Sequence, residues 1–218
     1  MTRLAVFDCD GTLVDSQANI CRAMEEAFAT GGLAPPTRAA TRRIVGLSLV
    51  EAMRALLPQG DEALHRRLAE DYKDAFQRMR RSGSLDPEPL FEGIAEVLAA
   101  LDDAGWLLGV ATGKSDRGLA YILEHHGLAH RFVTLQTADR HPSKPDPSML
   151  RTAMAETGAA PEGTAMIGDT SFDMAMGRAA GVRTVGVAWG YHAVGELLEA
   201  GADLVADTVA ALPRLLAA

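Results

Sequence analysis

Lysine is scarce in these 218 residues: Lys73, Lys114 and Lys144 are the only three, and the remaining positive charge rests on arginine. Acidic residues outnumber basic ones, for a formal net charge of −8. Nucleic acid and anionic membrane surfaces both reward clustered Lys and Arg, so neither is expected as the main partner. Cysteine is scarcer still. Cys9 and Cys21 supply neither a disulfide framework nor a metal-ligand spacing, which makes a reducing compartment the default. No apolar run approaches the ~20 residues of a membrane span. The start, "MTRLAVFDCD", has too short an apolar run and the wrong flanks for a secretion signal. These absences predict a soluble, cytoplasmic protein.

What is present is enough to build a core, since 48% of the residues are hydrophobic. The length suits one core domain carrying a smaller insertion. Short apolar runs recur as "LAVFD", "LLGVATG", "FVTLQT", "AMIGD" and "RTVGVAWG", most of them bounded by Gly, Asp or Thr, and they read as buried parallel strands. Helical patterns between the later runs stop at Gly127, Gly158 and Gly181. The alternation predicts an α/β fold, a doubly wound, Rossmann-like parallel sheet with ligands beyond the carboxyl ends of its strands. The first strand breaks this rhythm. Helical patterns follow it, among them "ANICRAMEEAFATGG" with Ile20, Met24, Ala27 and Phe28 on one face. Residues 16–85 are therefore expected to form an inserted all-helical cap domain, and residues 1–15 with 86–218 the core. "GSLDPEPLFEG" reads as the return linker.

Four polar clusters fall at the ends of inferred strands. Asp8 and Asp10, two apart, can face one ligand while Cys9 turns away as a small buried spacer, and Gly11 lets backbone approach an anion. Thr112 and Gly113 in "VATGK" offer a hydroxyl and a backbone N–H to phosphate oxygens. The "TGKS" run is no nucleotide P-loop, because Leu108 stands where that motif needs glycine, and Lys114 either joins the site or faces solvent. Lys144 in "SKPDP" lies between Pro142 and Pro145, which fix where it points. Asp169 and Asp173 in "GDTSFD" share one face of an opening helix turn. Taken singly, Lys144 reads equally as an exposed loop lysine and the last pair as helix capping. Taken together, four carboxylates in one pocket repel strongly. A hard divalent cation such as Mg²⁺ would relieve that repulsion, leaving the lysine and the strand-end N–H groups to hold a phosphoryl group.

In order and separation, "DCDGTLVDS", "ATG", "SKPDP" and "GDTSFD" resemble the four motifs of haloacid dehalogenase-superfamily phosphatases. The similarity is greatest to the phosphoglycolate phosphatase-like members with a helical cap. The resemblance covers nearly the whole chain. It implies a phosphatase of small phosphate monoesters, phosphoglycolate first among them, working through an aspartyl-phosphate. Asp8 is then the nucleophile and Asp10 the general acid and base. Mg²⁺ is held by the Asp8 side chain, the Asp10 backbone carbonyl and Asp169, with Asp173 ordering the shell. Thr112, Gly113 and Lys144 bind the phosphoryl group. A sugar-phosphate mutase or a pyrophosphatase of the same superfamily is the nearest alternative; a phosphoryl-accepting receiver module is more distant, since its aspartate ends the third strand. Mutases typically set basic residues around a cap glycine, whereas Gly46 here follows Val45, which favours hydrolysis. The resemblance leaves oligomeric state open. Arg42 and Arg43 read as surface charge or as ligands of a substrate carboxylate, Lys73 as solvated, and His125 and His126 as a helix C-terminus.

Overall fold

The computed structural model describes residues 2–217. Its centre is a parallel sheet of six strands in the order β3-β2-β1-β4-β5-β6. These are β1 (Arg3–Phe7), β2 (Trp106–Thr112), β3 (Phe132–Thr137), β4 (Thr164–Gly168), β5 (Arg183–Val187) and β6 (Leu204–Ala206). The doubly wound α/β core expected from the sequence is observed. Period-two alternation along β1 explains why both faces are apolar. Ala5 and Phe7 pack against α5 (Ile94–Asp103) and α6 (Asp116–His125), while Leu4 and Val6 pack with α7 (Ser148–Thr157) and with Met176 of α8 (Ser171–Ala180). Gly158 and Gly181 end α7 and α8 in the left-handed conformation, as their place in the sequence predicts.

The insertion between β1 and β2 contains α1 (Gln17–Thr30), α2 (Arg38–Arg42), α3 (Leu49–Leu56) and α4 (Glu62–Ser82). It has its own apolar centre, where Met24 and Phe28 of α1 meet Leu68, Tyr72 and Met79 of α4. Chain leaves and re-enters the core side by side: Val14 bridges Leu90 in antiparallel register, and the Asp15 N–H donates to the Pro89 carbonyl at 2.9 Å. The helical hairpin is thus held to the sheet by two adjacent strands of chain.

The strand order reverses between β1 and β4. Chains leaving adjacent strands there diverge to opposite faces, and a crevice opens beyond their carboxyl ends. Asp8 follows β1, Gly113 follows β2 and Asp169 follows β4. Among the described residues no helix is long and apolar enough to cross a membrane.

Candidate active site

Asp8 is fully buried one residue past β1, and its backbone N–H donates to the Ile167 carbonyl of β4 at 2.9 Å. Lys144 reaches it from the loop before α7, with Nζ 2.8 Å from Asp8 Oδ1 and 2.7 Å from Asp173 Oδ1. The lysine is itself 1% exposed. That is no solvated loop lysine. Burial alone would push its ammonium down, but Asp173 and Asp8 more than offset this and hold it above its ordinary range. Asp173 also closes the capping box of α8: its Oδ2 accepts from the Thr170 hydroxyl at 2.7 Å and from the Thr170 N–H at 3.0 Å. The carboxylate that caps α8 is thus also one that pairs with Lys144.

The Asp169 carboxylate is anchored at both oxygens. Thr12 Oγ1 donates to its Oδ1 and the Tyr191 N–H to its Oδ2, both at 2.9 Å. A Cβ added to Gly11 would lie 2.2 Å from Asp169 Oδ2, and one on Gly190 would lie 2.1 Å from Asp169 Cβ. Glycine at both positions is required for the fit. The anion that Gly11 admits is a carboxylate of the protein itself.

Asp8, Asp169 and Asp173 together offer oxygens within 4.8 Å of one another, all buried. One ammonium cannot neutralise three carboxylates. Burial pushes Asp8 up to about 7 despite Lys144, and raises Asp169 well above the carboxylate range, with Asp8 and Asp173 adding to the shift. Neither Asp8 oxygen takes part in a well-directed hydrogen bond, although Oδ1 touches Lys144. Buried carboxylate oxygens, hard and clustered, are what a divalent cation of the Mg²⁺ type binds. The residues present fit such an ion.

The fourth carboxylate goes elsewhere. Asp10 accepts a hydrogen bond from Ser16 Oγ and pairs with Lys114 Nζ at 2.9 Å, facing the insertion rather than the acidic cluster. The sequence reading of four carboxylates in one pocket thus becomes three in the cluster and one beside it, because the chain turns at Gly11 (φ +85°) directly after Asp10. Lys114 is mostly shielded from solvent and points at Asp10. Its N–H donates to Thr112 Oγ1 at 3.2 Å, so this hydroxyl shapes the turn that carries both residues. At Gly113 a Cβ would lie 2.6 Å from the Leu47 carbonyl oxygen, so the insertion rests on this strand end.

Ser16, Thr12, Tyr191 and Gly190 were missed by sequence reasoning. The run "AWGYH" carries no motif and reads as the tail of β5, yet its backbone folds back over Asp169. Arg43 is exposed and pairs with Glu196 at 2.5 Å. Lys73 is solvated and pairs with Glu70 at 2.7 Å, as read from the sequence. Cys9 is buried within the core.

Comparison with known proteins agrees with this geometry. The family described as haloacid dehalogenase-like hydrolase matches residues 5–187. Over 214 residues the chain is 36% identical to "Probable phosphatase IndB" of Dickeya dadantii, covering 95% of this chain and 90% of that one. It is 33% identical over 221 residues to the phosphoglycolate phosphatase of Agrobacterium fabrum, covering 97% and 91%. The crystal structure of a "predicted phosphatase" from Clostridium acetobutylicum superposes with a TM-score of 0.89 at 25% identity, covering 100% of both chains.

Proposed function

Since the chain belongs to the haloacid dehalogenase-like hydrolase family and is one of its phosphatases, we propose that it is a Mg²⁺-dependent hydrolase of small phosphate monoesters acting through an aspartyl-phosphate. The observation that carries this reading is the buried trio Asp8, Asp169 and Asp173, with Asp8 Oδ2 unengaged and a single lysine against three carboxylates. Asp8 and Asp169, with the Asp10 carbonyl, would hold Mg²⁺, and Asp173 would order the shell. The ion would supply positive charge for the phosphoryl oxygens and let the carboxylates stay ionised.

The protein's own groups then divide the work. An Asp8 carboxylate oxygen attacks phosphorus as the bond from phosphorus to the ester oxygen breaks, and Asp10 gives the departing alkoxide its proton. In the second step Asp10 takes a proton from water, whose oxygen attacks the same phosphorus; the bond to Asp8 breaks and inorganic phosphate leaves. Lys144, Thr112 and the Gly113 N–H would bind the three phosphoryl oxygens and stabilise their charge. Lys144 already stands against Asp8, and Ser16 with Lys114 fixes how Asp10 points. We take residues 16–85 as the cap and residues 1–15 with 86–218 as the core, which puts the reacting atoms under the helical hairpin.

The test is phosphate release from a panel of monoesters with and without Mg²⁺. Phosphoglycolate belongs on that panel because relatives carry its name. Asp8→Asn is expected to abolish turnover, and Asp10→Asn to slow it by about 10²–10⁴-fold. Full turnover by Asp8→Asn would reject the nucleophile.

A further inference from the structure

Beside Asp10, between the insertion and the core, lies a cavity of about 140 Å³. Asp10 and Gly113 line it, so an ester whose phosphorus sits at Asp8 would extend its alcohol into this space. The walls are mainly hydrocarbon. Ile20 and Met24 of α1, Tyr72 and Phe76 of α4, and Tyr121 of α6 all face it, and the rings of Tyr72 and Phe76 lie 6.0 Å apart. An apolar protein cavity of about 150 Å³ is large enough for a benzene ring. A two-carbon hydroxy acid would leave most of these walls uncovered and bring a carboxylate to a largely apolar surface.

The charged part of the lining is also informative. Lys73, Arg80, Lys114 and Arg117 face Asp10 and Glu88, an excess of cations in a chain of net charge −8. Lys73 and Lys114 have carboxylate partners in Glu70 and Asp10. Arg80 has none among the described residues. Its guanidinium lies over the Tyr121 ring, 4.1 Å from the centroid, and its buried Nε has no hydrogen-bond partner. A planar cation stacked on an aromatic wall with donors unspent is the group that captures a carboxylate at the end of a flat, apolar ligand.

We propose that the substrate's alcohol is a ring-sized apolar group bearing a second anion, a carboxylate, with the ring held by Met24, Tyr72, Phe76 and Tyr121 and the carboxylate by Arg80. This rests on the phosphomonoesterase reading above and narrows its substrate class away from two- and three-carbon esters. Three substrates decide it, assayed as phosphate release with Mg²⁺: phosphoglycolate, benzyl phosphate and 4-carboxybenzyl phosphate. The two benzylic esters have leaving groups of similar basicity and differ at the far end of the ring.

The wild-type protein is expected to favour benzyl phosphate over phosphoglycolate in kcat/KM by about tenfold or more. The carboxylated ester should gain about tenfold again. Arg80→Gln should bring the ratio of the two benzylic esters to about one, and Arg80→Lys, which keeps the charge and loses the fork, should restore part of it. Phe76→Ala should shrink the preference for the ring. A kcat/KM for phosphoglycolate equal to or above that of benzyl phosphate would overturn the ring assignment, and an unchanged benzylic ratio in Arg80→Gln would overturn the Arg80 assignment. Loss of phosphate release from every ester with Mg²⁺ present would instead sink the parent reading, so the two failures are distinct.

Discussion

Lys144 serves two carboxylates at once, Asp8 at 2.8 Å and Asp173 at 2.7 Å, while Asp169 presses on both with no cation of its own. The two sides of that arrangement respond differently to substitution. Lys144→Met strands three buried carboxylates, and breaking a buried pair in this way costs about 3–5 kcal/mol; its thermal midpoint in EDTA should fall accordingly. Asp8→Asn removes one mutual repulsion and leaves Lys144 paired with Asp173, so its midpoint in EDTA should not drop although turnover is lost. The same carboxyl carries a pH signature. Folded Asp8 keeps its proton up to about 7, whereas the unfolded group releases it near the ordinary value of 3.8. Between those values the folded chain binds more protons, so metal-free stability falls as pH rises through the window. Burial holds His141 and His192 below their ordinary range, which acts in the opposite direction. The difference between wild type and Asp8→Asn therefore isolates Asp8: stability curves against pH that run parallel from 4 to 7 would reject its raised titration.

At the scale of elements, the segment between α2 and α3 is one part of the insertion that meets the core. The Ser48 N–H donates to Ser143 Oγ at 2.9 Å, His192 Nε2 meets the Arg43 carbonyl at 3.2 Å, and the Gly46 and Leu47 carbonyls close over Gly113. Gly113→Ala puts a methyl 2.6 Å from one backbone oxygen and 2.7 Å from another, and backbone cannot yield as a side-chain tip can. The variant should fold with its core intact, while KM rises because the docked segment is lifted from the strand end; a wild-type KM would show the segment dispensable. Arg43→Ala removes an exposed ion pair, worth less than about 1 kcal/mol, and should barely register in a melting curve. How much of this was legible follows from range. The apolar runs of β1 to β5 and the glycine stops of α7 and α8 are local signals, and Asp8, Asp169 and Asp173 cluster beyond the strand ends while Asp10 turns aside to Lys114. Leu204–Ala206 is a three-residue edge strand, half-exposed at Leu204 and Val205, and too short to show a period. The fate of Lys114 turns on Asp10, about a hundred residues earlier in the chain, and Tyr191 reaches Asp169 through its backbone N–H, which no residue type announces.

For the whole molecule the acidic cluster is a junction of distant segments. Asp8 ends the first strand, Lys144 lies in the loop before α7, and Asp169 and Asp173 bracket the start of α8, so the site exists only when the sheet is assembled. An ion bound there ties the global fold, since the unfolded chain scatters its ligands. Binding to the folded state alone stabilises by about 2.7 kcal/mol at a hundred times Kd. For a domain of this size that corresponds to a rise of roughly 5–10 °C in the thermal midpoint. Mg²⁺ added to EDTA-stripped protein should produce such a shift, measured by calorimetry with no substrate present. Asp169→Asn, which keeps the shape and removes a hard oxygen, should abolish the shift, whereas Arg43→Ala, whose exposed side chain pairs with Glu196, should leave it whole. If Mg²⁺ moved the midpoint of Asp169→Asn as far as that of the wild type, the ion would be binding elsewhere on a chain of net charge −8, and the unengaged Oδ2 of Asp8 would need a different partner.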